Sequence, residues 1–358
     1  MNKIFIYIFN LSSKYILLNL LFITILVIFI NLLEISKLIH TNTNAYYIIF
    51  LSLLKIPSII SETSPFVIVI SIAFLFKYLI SNNELITMRN LGYSILEIFK
   101  PIGICIFLFG LFILLIINPI SAKFEREFNS LISKDFSDLY SIKIINSGMW
   151  IKNISDINEI NFINISEINL DNMHANNVKI LHTTTNINKI ILAEKGIIED
   201  KLFKLNKVRI YNISEDKFIK KDKFQIILNF DKNNIIDSIS NFKFIPFYKY
   251  REHIKNLKKF NLHSAEVSFF YLSEILKPFF LIIIGFTVMG FSGKFKRNEN
   301  FFRVLFISIL IGFLIFLLKE IVVTIAASIN LSYIFSYFTI FFLPLIIGLY
   351  QVIKIESD

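Results

Sequence analysis

Apolar residues in this chain come in long, nearly unbroken blocks. A helix needs about 20 apolar residues to cross a bilayer. Blocks at 15–38, 47–80 (densest from Pro57), 98–120, 269–291, 301–326 and 333–353 predict six transmembrane helices, three on either side of residues 121–268. In the segment between them the period changes. Phe224, Ile226, Leu228 and Phe230 alternate with Gln225, Ile227 and Asn229, which is strand-like with one mismatch. Residues 161–170, 179–182, 189–193 and 202–213 are β-branched or aromatic runs, punctuated by clusters of Asn, Asp and Gly. Several short strands at this spacing predict an antiparallel sandwich or open barrel. Then PFYKYREHIKNLKKF reads as a helix, with Pro246 at its first position and Phe247, Tyr250, Ile254 and Leu257 on one stripe.

One further stretch, SNNELITMRNLGYS at 81–94, is polar and helix-forming, yet it stands between two spans. Ser81 followed by Glu84 has the spacing of a capping box. Leu85, Met88 and Ile95 fall on one apolar stripe, with Leu91 close to it, and Gly92 ends or bends the helix. Such a helix either docks on a soluble partner or rests on the membrane surface. The pattern alone leaves both open.

Composition agrees with a membrane protein. Of 358 residues, 55% are hydrophobic and 18% charged, against about 25% charged in ordinary soluble domains. The mean hydropathy is +0.64. Ile, Asn, Lys and Phe are so abundant that single Asn or Lys residues carry little signal. The apolar core of the first span is longer than that of a signal peptide and no small-residue cleavage site follows, so the span is expected to be retained. Cys105 is the one cysteine, which excludes an intrachain disulfide and a multi-cysteine metal site. The five histidines lack ligand spacing, so no metal is expected. No paired carboxylates, nucleophile–base set or Gly-rich phosphate loop is visible, which points away from an enzyme.

The net charge of +10 reads as positive loops rather than nucleic-acid binding. Lys3 and Lys14 precede the first span, and Lys77, Arg89 and Lys100 surround the 81–94 insert. Lys294, Lys296, Arg297 and Arg303 crowd the connector between spans four and five, and Lys354 follows span six. The short loops after spans one and five are nearly free of Lys and Arg. This distribution predicts both termini and the insert in the cytoplasm, with 121–268 on the outer side.

Several charges fall inside or near the spans: Glu34, Lys37, Lys55, Glu62, Glu274, Lys277, Lys319 and Glu320. A charge at the bilayer centre costs at least about 2.5–3.5 kcal/mol on insertion scales, so it faces a cavity or a partner unless it snorkels to an interface. Glu34, Lys37, Glu274 and Lys277 sit near span ends, where either account serves. Lys319 and Glu320 lie deeper. As neighbours on a helix they point in different directions and need not pair.

The order of three spans, an outer β domain and three more spans resembles the LptF/LptG family, permease subunits of the bacterial lipopolysaccharide exporter. The densest likeness is LLKIPSIISETSPFVIVISIAFLFKYLISNNELITMRNLGYS. Its end is similar to the family's coupling segment, here Asn83, Glu84, Leu85, Met88, Arg89 and Gly92. Asn118-Pro119, Arg126 and Gly148-Met149-Trp150 extend the likeness. Glu34 and the Gly-x-Trp entry resemble LptG more than LptF, whereas Asn31 and Leu38 stand where relatives can carry basic residues.

The resemblance implies transmembrane helices 1–3 within 1–120 with a coupling helix at 81–95, a jelly-roll-like periplasmic domain and linker helix at 121–268, and helices 4–6 at 269–358. It implies an inner-membrane, non-catalytic permease paired with a second LptF-like permease. A dimeric LptB-like cytoplasmic ATPase would use ATP, with no cofactor bound by this chain. Lipopolysaccharide would pass to a periplasmic bridge of LptC/LptA-like proteins, with no role for nucleic acid. Glu84, Leu85, Met88, Arg89 and Gly92 would couple to the ATPase. Lys37, Lys123, Arg126, Glu34, Lys319 and Glu320 are the candidate lipid contacts. The competing expectations are a permease for another envelope lipid or lipoprotein, and a membrane-anchored scaffold without transport.

Overall fold

The computed structural model describes residues 3–38, 45–135, 149–154, 160–169, 173–183, 187–199, 201–213, 217–228, 242–259, 263–293 and 300–357. The chain divides into two compact units, one of residues 1–128 and 265–358, the other of residues 129–264.

In the first unit, α1 (Lys3–Leu38) packs along α2 (Ala45–Ser81), followed by the short α3 (Glu84–Asn90) and α4 (Ile95–Phe112). A π-helical turn at Ile113–Ile117 leads without a break into α5 (Asn118–Asp135). There Asn118 N–H bonds back to Ile113 O, five residues away, and the wide turn precedes Pro119, which has no N–H to give. The helix therefore runs on past the expected end of the third span. Likewise α1 starts well before the apolar block and carries the basic N-terminal residues as part of one helix.

Because α6 (Tyr250–Lys259) lies in the second unit, the remaining long helices here are α7 (Ala265–Ser292), α8 (Phe301–Ser328) and α9 (Tyr333–Ser357). Among the described residues six helical segments are long and apolar enough to cross a membrane. The most apolar stretches of α2 and α7 are 61% and 67% buried, against 17% for α1 and 22% for α8. The bundle thus centres on α2 and α7, with Val67, Ile68, Ile72, Leu75, Phe76, Leu281 and Ile284 fully enclosed. Small residues allow this closeness, since hydrophobic force alone does not drive helices together in lipid. A Cβ on Gly110 would stand 2.6 Å from Pro278 Cα, and one on Gly312 would stand 2.4 Å from Val69 Cγ2.

The second unit holds one six-stranded antiparallel meander in chain order: β1 (Met149–Ile154), β2 (Ile160–Asn169), β3 (His174–Thr183), β4 (Ile187–Glu199), β5 (Leu202–Asn212) and β6 (Lys217–Ile227). Among the described strands there is a single sheet, without the crossover of a jelly roll. One face forms a core of Ile163, Ile165, Val178, Ile180, Ile191, Ala193, Phe203, Leu205, Val208 and Ile210. The alternation read at β6 is visible as burial: Phe224 and Ile226 pack on that core and Leu228 is buried, while Ile227 is 72% exposed. Phe230 lies outside the described residues.

The linker begins with a 3₁₀ turn at Phe247–Lys249, preceded by Pro246, and continues as α6 (Tyr250–Lys259). Tyr250 and Leu257 are buried on its stripe, joined by His253, which the apolar pattern does not reveal.

Candidate functional site

The insert between α2 and α4 is a folded elbow. Its first turn differs from the expected capping box. Ser81 still belongs to α2, and its hydroxyl donates to Lys77 O at 2.6 Å. The cap residue of α3 is Asn83, with φ 60° and no side-chain cap bond. A reciprocal box forms at the start of α4 instead, where Ser94 Oγ accepts from Glu97 N–H and Glu97 Oε2 accepts from Ser94 N–H.

The end of α3 is a Schellman motif. Tyr93 N–H bonds Met88 O at 3.1 Å and Gly92 N–H bonds Arg89 O at 2.9 Å. Gly92 has φ +88°, a left-handed conformation that suits glycine. The structure thus gives the expected stop a definite geometry.

Leu85 and Met88 point inward, 5% and 6% exposed, and join the cluster of Leu79, Ile80 and Ile95. They seat α3 on its own bundle rather than facing outward. Leu91 departs from the expected stripe and is 65% exposed, beside Ile86, Thr87 and Asn90 on the outward surface. Glu84 is half-buried and accepts a 2.8 Å hydrogen bond from the Tyr7 hydroxyl of α1. Arg89 is exposed, yet its guanidinium donates to Ile355 O of α9 at 3.0 Å.

A second polar group lies within the bundle. Lys277 of α7 pairs with Glu274 at 2.5 Å, with side chains 9% and 13% exposed. Lys277 also donates to Ser61 Oγ of α2 at 2.8 Å, and Asn118 Nδ2 of α5 donates to Glu274 at 3.4 Å. This decides between the two accounts of Glu274 and Lys277: they are partnered across three helices and do not snorkel. Ser61 and Asn118 were not expected as partners, because their position becomes apparent only when α2, α5 and α7 meet.

Lys319 and Glu320 do pair, at 3.1 Å, since the long lysine stem curls back to its neighbour. The Lys319 ammonium lies 5.6 Å from the Phe280 ring centre and 5.7 Å from that of Phe316. That places a cation on two aromatic faces, a favourable arrangement. Lys123 and Arg126 are both exposed, one turn apart on α5. Nearby on the same helix, Phe128 carries the ammonium of Lys55 at 4.6 Å, a contact absent from the sequence-derived set. Glu34 is exposed on α1, while the side chain of Lys37 lies outside the described residues, as do Gly148 and the basic connector Lys294, Lys296 and Arg297.

Among the described residues no group of three or more His, Cys, Asp or Glu could hold a metal ion. The arrangement offers a seated end-helix with an outward face, a partnered intramembrane ion pair and separate basic groups on α5 and α8. No curated protein matches the chain significantly. The family profile described as "Lipopolysaccharide export system permease LptF/LptG" matches residues 6–354, which takes in both units; it does not separate the two permeases. The chain belongs to the LptF/LptG family of lipopolysaccharide export permeases.

Proposed function

We propose that this chain is the membrane subunit through which a separate ATPase drives lipopolysaccharide out of the inner membrane toward a periplasmic bridge. The observation that carries the coupling part is the seating of α3. Leu85 and Met88 anchor it to the bundle, so a push on its outward face of Ile86, Thr87, Asn90 and Leu91 reaches the spans. ATP is bound and hydrolysed by the partner; this chain takes no cofactor. Glu84 presents a carboxylate beside that face while Tyr7 ties it to α1.

The positive residues near α3, among them Lys77, Arg89 and Lys100, favour the cytoplasm for this end. Both termini then lie on that side, and the β-sheet unit lies in the periplasm. The broad apolar surfaces of α1 and α8, the two least buried helices, suit a second permease of the same family and lipid acyl chains between the two. Burying acyl chains there is favourable by about 0.8 kcal/mol per CH₂. Lys37, Lys123, Arg126 and Lys319, with the Glu34 and Glu320 carboxylates, serve the charged headgroup. Charge-assisted bonds to phosphate are strong. The LptG-like features Glu34 and Gly148-Met149-Trp150 favour that member of the pair.

The test separates docking from internal bracing at Glu84. Glu84→Ala removes both the outward carboxylate and the Tyr7 bond, whereas Tyr7→Phe removes only the bond. The proposal expects loss of ATPase co-purification with Glu84→Ala and retention with Tyr7→Phe. Equal retention in both variants would remove Glu84 from the contact.

A further inference from the structure

Two hydrogen bonds join the elbow to the far end of the sequence. Arg89 Nη2 donates to Ile355 O at 3.0 Å, and Ile95 N–H donates to Glu356 Oε1 at 3.1 Å. Each serves a helix end. The last carbonyls of α9 have no partner within their own helix, and Arg89 supplies one with a cation, the sign a helix C-terminus favours. The first amides of α4 likewise lack partners, and Glu356 supplies a carboxylate, the sign a helix N-terminus favours. The elbow caps α9 and α9 caps the elbow.

This end of α9 is fixed firmly to α7. Val352 and Ile355 are buried at 1% and 5% exposure. A Cβ on Gly290 would stand 3.0 Å from Gln351 Cβ, and one on Gly293 would stand 3.2 Å from Ile355 Cδ1. Further along the same pair, Thr287 Oγ1 donates to Pro344 O at 2.9 Å. Packed interfaces of this kind transmit displacement because they lack room to absorb it.

We infer that the C-terminal turn of α9 is a working part of the coupling element, latched to the elbow by Arg89 and Glu356 so that movement of α3 is delivered to the α7–α9 pair. This rests on the reading of α3 as the ATPase-docking helix. Arg89 then acts chiefly through α9, and Glu356 is a positioning residue that the coupling motif does not include. Tyr7 gives a separate connection to α1, so the elbow is tied by different bonds to the peripheral α1 and to α9, and through α9 to the central α7.

The experiment uses the complete transporter, purified with its ATPase and second permease and placed in vesicles containing lipopolysaccharide. Lipid released to a soluble acceptor is counted per ATP hydrolysed. Glu356→Ala is expected to keep the ATPase bound and turning over while lipid released per ATP falls several-fold. Glu356→Gln keeps an oxygen that accepts from Ile95 N–H, and is expected to restore most of that ratio. Arg89→Lys retains a cationic donor for Ile355 O and is expected to lose less coupling than Arg89→Ala. If the parent complex couples normally and Glu356→Ala leaves the ratio unchanged, the latch is overturned. It is also overturned if Ala and Gln variants alike fail to assemble, which marks Glu356 as merely structural. A parent complex that moves no lipid overturns the export reading itself, and so distinguishes that failure from failure of the latch.

Discussion

Lys277 shows how much of a side chain's role lies outside its own neighbourhood in sequence. The chain gives away that a lysine and a glutamate sit three residues apart in an apolar span. Burial, and the reach to Ser61 and Asn118, depend on helices brought together from distant parts of the chain. Removing one partner of a buried pair leaves a lone charge and costs about 3–5 kcal/mol, whereas apolar replacement of both is often neutral. Lys277→Met is therefore expected to lower the thermal midpoint in detergent sharply. Lys277→Met with Glu274→Leu is expected to recover most of the loss. Equal loss in the single and double variants would show that packing, not the pair, sets stability there.

At the scale of elements, α3 was legible in outline but not in its ends. The inward pair Leu85 and Met88 and the stop at Gly92 follow from spacing and residue type. The start does not, because Ser81 and Glu84 match the capping signature while Ser81 remains in the last turn of α2. The same signature at Ser94 and Glu97 is the one that forms, since there an extended residue does precede a helix. A short motif states what a cap needs and cannot state where the preceding helix stops. Leu91 was misplaced for a related reason: it is the C-cap, where helical periodicity has already ended. The alternation of Phe224, Ile226 and Leu228 carries into burial, because it fixes which face is buried without reference to distant residues. The expected sandwich or open barrel is replaced by a single meander among the described strands, since strand order depends on pairings that alternation does not encode. The left-handed backbone at Gly92 gives a direct test of the elbow. A Cβ there meets no neighbour, so Gly92→Ala is a conformational change alone, costing about 1–2 kcal/mol. Amide hydrogen exchange at residues 84–91 should accelerate in that variant, with Gly92→Asn intermediate. Unchanged exchange would show that α3 is held by its Leu85 and Met88 seat and not by its terminating turn.

For the whole molecule, six apolar helices and, between the third and fourth in sequence, an inserted sheet were visible as a change of period along the chain. The inequality among those helices was not. Hydropathy does not supply it: α9 has the same mean hydropathy as α2 and α7, 2.0, yet is 28% buried where they are 61% and 67%, and the mostly uncovered α1 and α8 are the more apolar at 2.8 and 2.5. That division gives the export reading its physical basis: a rigid centre, two exposed flanks for lipid and a second permease, and an end-helix on which an ATPase can act. The most direct measurement places the complete complex in vesicles carrying lipopolysaccharide together with other envelope lipids, supplies ATP, and identifies what leaves to a soluble acceptor. The account predicts ATP-dependent departure of lipopolysaccharide while the other lipids remain. ATP hydrolysis with lipopolysaccharide retained and another lipid or lipoprotein released would contradict it.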